Sequence, residues 1–244
     1  LSNEHRLIAD VVCFPGCHIN HLTPRTLDID RVQELMPKYG IEPKILIEGP
    51  PRREVPILLR QTSFKALEEP VLFAGEHKGT HTARFGEIEQ RGVALTQKGR
   101  ELYDNLLNQA GTGKDNLTHQ LHLREIFSAF PDSEMFLRRQ RLAYFRYRLT
   151  PTGEAHRHAF RPGDDPQPLI ERGWVVAQPI TYEDFLPVSA AGIFQSNLGN
   201  ETQARSHGNA SRNAFEAALG CAVYDEFSLY EEAEARSKQR CGLL

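Results

Sequence analysis

Two histidines, His18 and His21, and two glutamates, Glu87 and Glu89, carry the metal chemistry that this chain offers most readily. The first pair lies in Cys17-His18-Ile19-Asn20-His21-Leu22-Thr23, and the second in Phe85-Gly86-Glu87-Ile88-Glu89-Gln90-Arg91. An imidazole from one strand and a carboxylate from another supply two corners of a 2-His-1-carboxylate arrangement, whose open positions admit substrate and oxygen on iron(II). Side chains alternate along a strand, so His18 and His21 point to opposite faces and at most one can look into a concavity. Glu87 and Glu89 share a face, and periodicity does not choose between them. Each has a bland counterpart: a strand histidine is often a satisfied core group, and a strand glutamate is ordinarily solvated.

Several elements must position these residues. Leu7, Ile8 and Val11 at helical spacing give a helix ended by Pro15-Gly16, and 17–23 is a strand. Val32, Leu35 and Met36 form one face of a helix over 29–39, closed by Gly40. Strands are expected at 44–48 and 55–63, then a Gly- and His-containing turn near 75–82 and a strand at 83–90. From Thr96, a good N-cap, Leu102, Leu106 and Leu107 mark a helix that ends at Gly111. Helices over 116–130 and 133–142, a half-buried strand over 143–150 and a polar loop over 151–168 follow. A strand at 174–180, an extended piece at 184–194, a loop at 197–211 and helices at 211–219 and 225–240 complete the chain. The class is α+β.

Composition narrows the partners. The 244 residues suffice for a substantial core, and 40% apolar with 25% charged residues describe an ordinary globular chain. A formal charge of −3 without a long Lys or Arg run argues against nucleic acid. No apolar run approaches the roughly 20 residues of a membrane span, and no signal peptide is visible, so no membrane partner and a cytoplasmic location are expected. Cys13, Cys17, Cys221 and Cys241 are too sparse for a disulfide framework, and Cys13-x3-Cys17 without a second pair is weak evidence for zinc. The chain opens on Leu1, so it is expected to begin in mid-protein, with an N-terminal segment missing.

Other candidates carry less. His77 and His81 fall in the expected turn, His207 in a loop, and His119 and His122 lie three apart on one helical face without a nearby third ligand. Ser63, Ser189 and Ser211 lack a Gly-x-Ser-x-Gly context.

The order strand, helix, strand, strand, strand resembles the βαβββ unit of vicinal-oxygen-chelate proteins, whose curved sheet cradles a metal. The step from His21 to Asp28 looks like their first-strand pattern, and Glu87-x-x-Gln90-Arg91 resembles the carboxylate-bearing strand of 4-hydroxyphenylpyruvate dioxygenase, where the opening glutamate binds iron. The wider run resembles the 2-oxoadipate dioxygenase/decarboxylase family, in its YdcJ-like branch, over essentially the whole chain. It includes 21–30, Gln61-Thr62-Ser63-Phe64-Lys65-Ala66-Leu67, 84–100 and Phe185-Leu186-Pro187-Val188-Ser189-Ala190-Ala191-Gly192.

The resemblance implies a curved mixed β-sheet of βαβββ type surrounded by helices, in a single catalytic domain over 1–244. Residues 14–95 would form the metal-binding half, and 96–244 would supply helices and strands that complete the sheet. It implies Fe(II) held by His21 and Glu87, Gln61 facing the substrate, and Val188 and Ser189 near its distal carboxylate. The implied reaction converts 2-oxoadipate and O2 to 2-hydroxyglutarate and CO2 in lysine catabolism. The family takes another histidine and a dicarboxylate-selecting arginine from an upstream His-Ser-Thr-Ala-Phe-Arg-Pro segment that does not occur here; His158-Ala159-Phe160-Arg161-Pro162 echoes it at the wrong place in chain order. The rival readings are a catalytically incomplete structural fragment, and a vicinal-oxygen-chelate lyase, isomerase or hydrolase using another divalent metal.

Overall fold

The computed structural model describes residues 24–73, 77–110, 115–183 and 216–244, without the side chains of 65–73, 77 and 79–87. The expected elements at 2–12, 17–23 and 184–211 lie outside the described residues.

Helix α1 (Ile29–Leu35) is capped by Asp28, whose side chain accepts from Arg31 N at 3.0 Å. The helix tightens into a 3-10 turn over Met36–Tyr39 and stops at Gly40, where φ of +74° suits a residue without a Cβ. The short strand β1 (Glu42–Pro43) then pairs antiparallel with β2 (Leu59–Phe73), and β2 with β3 (His77–Arg91). Thr26 N donates to Glu89 O at 2.7 Å and Glu89 N to Pro24 O at 3.0 Å, so the chain at 24–26 lies parallel against the other edge of β3. The sheet is therefore open and mixed, in the spatial order 24–26, β3, β2, β1.

Four expectations differ from what is observed, the first being the strand expected at 55–63, which runs over Leu59–Phe73. The strand expected at 44–48 is a bent segment held by one antiparallel bridge, Glu48 to Gln61. Its apolar residues divide between core and solvent: Ile47 is fully buried, whereas Ile45 is 66% exposed. The turn expected over 75–82 is strand from His77 onward, because pairing with β2 outweighs the local Gly and His content. The polar loop expected over 151–168 contains helices α5 (Pro151–Ala155) and α6 (Pro166–Glu171), capped by Thr150 and Asp165 with proline in each first turn.

The β2–β3 pairing carries two irregularities. Between Thr62↔Ile88 and Phe64↔Phe85, Gly86 and Glu87 together face Ser63, so the extra residue is on β3. Between Lys65↔Arg84 and Leu67↔Ala83, Ala66 is extra on β2. Each is a β-bulge.

After β3 the chain passes through Val93–Leu95 into the second sheet. Ala94 N donates to Ile180 O at 2.8 Å and Tyr144 N to Ala94 O at 2.9 Å, which ties β3 to β4 (Phe145–Leu149) and β5 (Val175–Pro179). Helices α2 (Gln97–Ala110), α3 (Asn116–Ile126) and α4 (Glu134–Arg139) come between β3 and β4 in chain order, with α2 packed on α3, and α7 (Glu226–Cys241) lies on β4. One cluster of buried side chains joins these parts, from Ile57, Leu59 and Val93 through Tyr103, Phe127 and Leu137 to Phe145, Val175 and Cys241. Among the described residues no helix is long and apolar enough to cross a membrane.

Gly99, in the first turn of α2, brings that helix against the backbone of Leu142: a Cβ there would stand 1.9 Å from Leu142 O. Gly99→Ala is expected to cost about 2 kcal/mol, typical of forcing extra volume into a packed contact. A lowered urea midpoint with an unchanged slope checks it.

Candidate metal and substrate site

Pairing across β2 and β3 sorts their side chains onto two faces, since directly opposed residues share a side. Arg60↔Gln90 and Thr62↔Ile88 form one face, Leu59↔Arg91 and Gln61↔Glu89 the other.

Helix α1 covers the first face. Arg60, buried to 4% side-chain exposure, forks onto Asp30 with Nη1 to Oδ2 at 2.7 Å and Nη2 to Oδ1 at 2.9 Å. Arg60 Nη2 also donates to Gln120 Oε1 at 2.9 Å, and Thr62 Oγ1 to Gln33 Oε1 at 2.6 Å. Burial pushes the Asp30 carboxyl up, but the hydrogen bonds and charge of Arg60 outweigh it and hold the group below its ordinary value. On this face both Asp30 oxygens and both terminal nitrogens of Arg60 are paired, and Arg60 Nε is buried without a partner among the described residues.

The second face is different. Gln61, Ser63 and Glu89 are all buried on it. Glu89 Oε2 accepts from Arg91 Nε at 2.8 Å, and Arg91 Nη1 donates onward to Tyr182 O at 2.9 Å. The other carboxylate oxygen, Glu89 Oε1, and Ser63 Oγ are buried without a hydrogen-bond partner among the described residues. A buried carboxylate oxygen left unmatched costs on the order of 1–3 kcal/mol or more, so a partner from outside this set is called for. Such an oxygen suits a cation or a donor on a ligand.

Gln61 is fastened from the β1 side. Its Nε2 donates to Glu48 Oε2 at 3.0 Å, and Glu48 Oε1 is paired with Lys44 Nζ. Sequence reasoning singles out neither Glu48 nor Lys44, since they look like the ends of a short strand. Periodicity leaves Glu89 level with Glu87, the resemblance chooses Glu87, and the burial of Glu89 is visible only in the folded chain.

Of the residues expected to form the site, Gln61 lies buried beside Glu89. Glu87 lies in β3 at the bulge opposite Ser63, and its side chain is outside the described set. His21, Val188 and Ser189, and also His18, Cys13 and Cys17, lie outside the described residues. Among the described residues no group of three or more His, Cys, Asp or Glu side chains is placed to hold a metal. In the His158–Pro162 echo the two polar residues lie at the surface and Phe160 is buried in the core: His158 is exposed and stacks near His156 with ring centroids 6.5 Å apart, and Arg161 donates to His158 O at 3.0 Å.

Comparison with known proteins gives consistent matches. The family model described as 2-oxoadipate dioxygenase/decarboxylase matches residues 1–197. A protein of that description from Escherichia coli (strain K12) is 84% identical over 244 residues, covering 100% of this chain and 55% of that one. One from Pseudomonas putida is 55% identical over 250 residues, covering 99% and 54%. Among solved structures, the protein YdcJ of Shigella flexneri superimposes with a TM-score of 0.78 at 70% identity, covering 98% of this chain and 51% of that one. The hydroxyglutarate synthase of Pseudomonas putida in complex with 2-oxoadipate gives 0.77 at 52% identity, covering 97% and 53%. The chain thus spans about half the length of the curated relatives it matches.

Proposed function

The chain belongs to the 2-oxoadipate dioxygenase/decarboxylase family, and on that premise we propose that it forms the metal- and substrate-binding half of a non-heme iron(II) enzyme. The reaction proposed converts 2-oxoadipate and O2 to 2-hydroxyglutarate and CO2, a step of lysine catabolism in the cytoplasm. Its atoms balance without an added reductant. The observation that carries this reading is the likeness to the hydroxyglutarate synthase solved with 2-oxoadipate.

His21 and Glu87 would hold the metal. The donor set, an imidazole and a carboxylate, suits iron(II), and the buried, partnerless oxygen of Glu89 marks this stretch of β3 as a place where positive charge is welcome. Covalent connectivity supports the pairing: His21 stands a few positions before Pro24, whose carbonyl is bonded to Glu89 N. At ~3.8 Å per residue the imidazole-bearing Cα lies within ~11 Å of the Pro24 Cα. When bound, iron(II) supplies the electrons that make molecular oxygen reactive toward a 2-oxo acid.

The chain's own groups bind and orient. Gln61, on the face shared with Glu89, would face the substrate, and Val188 with Ser189 would receive its distal carboxylate. Arg91, clasped by Glu89, would keep that carboxylate fixed in aim. The upstream histidine and arginine implied by the family pattern would complete the site in the longer protein.

The test is elemental analysis and oxygen uptake on the full-length protein. One iron per chain and equal amounts of oxygen consumed, CO2 released and 2-hydroxyglutarate formed are expected. Turnover of 2-oxoadipate without oxygen, or full occupancy by another metal with no oxygen uptake, would replace this reading with a lyase, isomerase or hydrolase.

A further inference from the structure

Gln61 is held from behind, and the hold decides which end of its amide meets a ligand. Gln61 N donates to Glu48 O at 3.0 Å and Glu48 N to Gln61 O at 2.9 Å, so the two residues are locked in register. Gln61 Nε2 then donates to Glu48 Oε2 at 3.0 Å. Glu48 is itself fixed, because Lys44 pairs with its other oxygen and Lys44 N is tied to Ser63 O at 2.6 Å. Both side chains are largely covered, with 17% of Lys44 and 24% of Glu48 exposed.

An ionised carboxylate accepts hydrogen bonds and donates none. In Glu48 the second oxygen is taken up by Lys44 Nζ, itself a donor. The amide nitrogen of Gln61 is therefore committed to Glu48, and Oε1, on the opposite branch of the planar amide, is turned away from it. An amide oxygen can only accept. A keto oxygen or a carboxylate would meet it lone pair to lone pair, whereas a hydroxyl would donate to it.

We propose that Glu48, backed by Lys44, is a positioning residue that presents Gln61 as an acceptor and so biases the site toward a 2-hydroxy acid over the matching 2-oxo acid. The inference rests on the functional reading above. It deepens that reading, because the bond to Gln61 exists only once the hydroxyl has formed, and a hydrogen bond that appears as the reaction proceeds assists it where a uniform one does not.

The probes are 2-hydroxyglutarate and 2-oxoglutarate, which share one carbon skeleton, titrated calorimetrically into the metal-loaded full-length protein. In Glu48→Gln the residue at 48 can donate as well as accept, so the Gln61 amide is free to turn over. The preference for the hydroxy acid is expected to fall about fivefold, the worth of one ordinary hydrogen bond. Gln61→Met is expected to lose the same preference, and adding Glu48→Gln to it should change nothing further. Lys44→Met, which leaves Glu48 in place, is expected to give a smaller shift in the same direction. A preference that Glu48→Gln leaves intact, or an effect of Glu48→Gln that persists without Gln61, overturns the proposal alone. Failure of the wild-type protein to bind either acid overturns it together with the functional reading.

Discussion

Glu87→Gln in the full-length protein is expected to abolish iron binding and to lower oxygen uptake on 2-oxoadipate by more than about a hundredfold. Losing a group that merely supports a ligand costs about 10–100-fold in metal affinity, and losing the ligand itself should exceed that. Glutamine keeps the size of the side chain and removes its charge, so the fold is retained and the effect reports on coordination. Glu89→Gln is the informative companion. Glu89 spends one oxygen on Arg91 at 2.8 Å and buries the other without a partner among the described residues, so loss of its charge should weaken iron binding by about 10–100-fold. Iron content and circular dichroism measured on both variants separate the cases. Should Glu89→Gln empty the site while Glu87→Gln leaves it filled, the ligand would be Glu89 and the assignment drawn from the Glu-x-x-Gln-Arg pattern would be wrong.

Arg60→Ala is expected to be the most damaging single change away from the candidate site, at about 3 kcal/mol or more. Breaking a buried pair from one side leaves the other charge uncompensated. Arg60 also joins α1 to α3 through Asp30 and Gln120, so the loss reaches both helices. Asp30→Asn should cost less, because Asp30 is 23% exposed and water can serve the asparagine. The two effects should not add, since they remove one interaction. The pair also carries a pH signature. The folded carboxyl titrates below its ordinary value of 3.8, so its stabilisation is complete above that value and is lost as the pH falls through the lower, folded one. Urea midpoints across that range should show wild type converging on Asp30→Asn at the acid end, and parallel curves would refute the coupling.

The elements that sequence reveals best are those with their own punctuation. Helix α1 is legible because its apolar stripe ends on Gly40, and α2 because Thr96 caps it, with Gly99 N donating to Thr96 Oγ1 at 3.1 Å. Helices α5 and α6 carry equally good marks, Thr150-Pro151 and Asp165-Pro166, and go unread because the residues around them are polar. Strand β2 is harder. Pro70 in its second half argues against a strand, yet among the described residues only β3 pairs with β2 there, and a proline is tolerated at a sheet edge.

The candidate site divides in the same way. Gln61 is legible through the resemblance, and the structure places it on the face that buries Glu89. Glu48 and Lys44 are not legible, since nothing local distinguishes them from the solvated ends of a strand; only the bridge from Glu48 to Gln61 brings them in. Asp30 and Arg60 are likewise ordinary as letters, and their partnership depends on α1 crossing the sheet.

The bulges at Gly86–Glu87 and Ala66 sit on opposite strands, a few pairs apart, and each strand still spans 15 residues. An extra residue lengthens one rail of the ladder and steers it toward the shorter rail, while adding to the right-handed twist whichever rail it occupies. The sideways deflections therefore cancel and the rotations accumulate, so the hairpin tip keeps its heading but is rolled about the long axis. Deleting Gly86 alone should swing the tip to one side. Deleting Ala66 as well should straighten its course and unroll it, so the double deletion should be tolerated better than either single one.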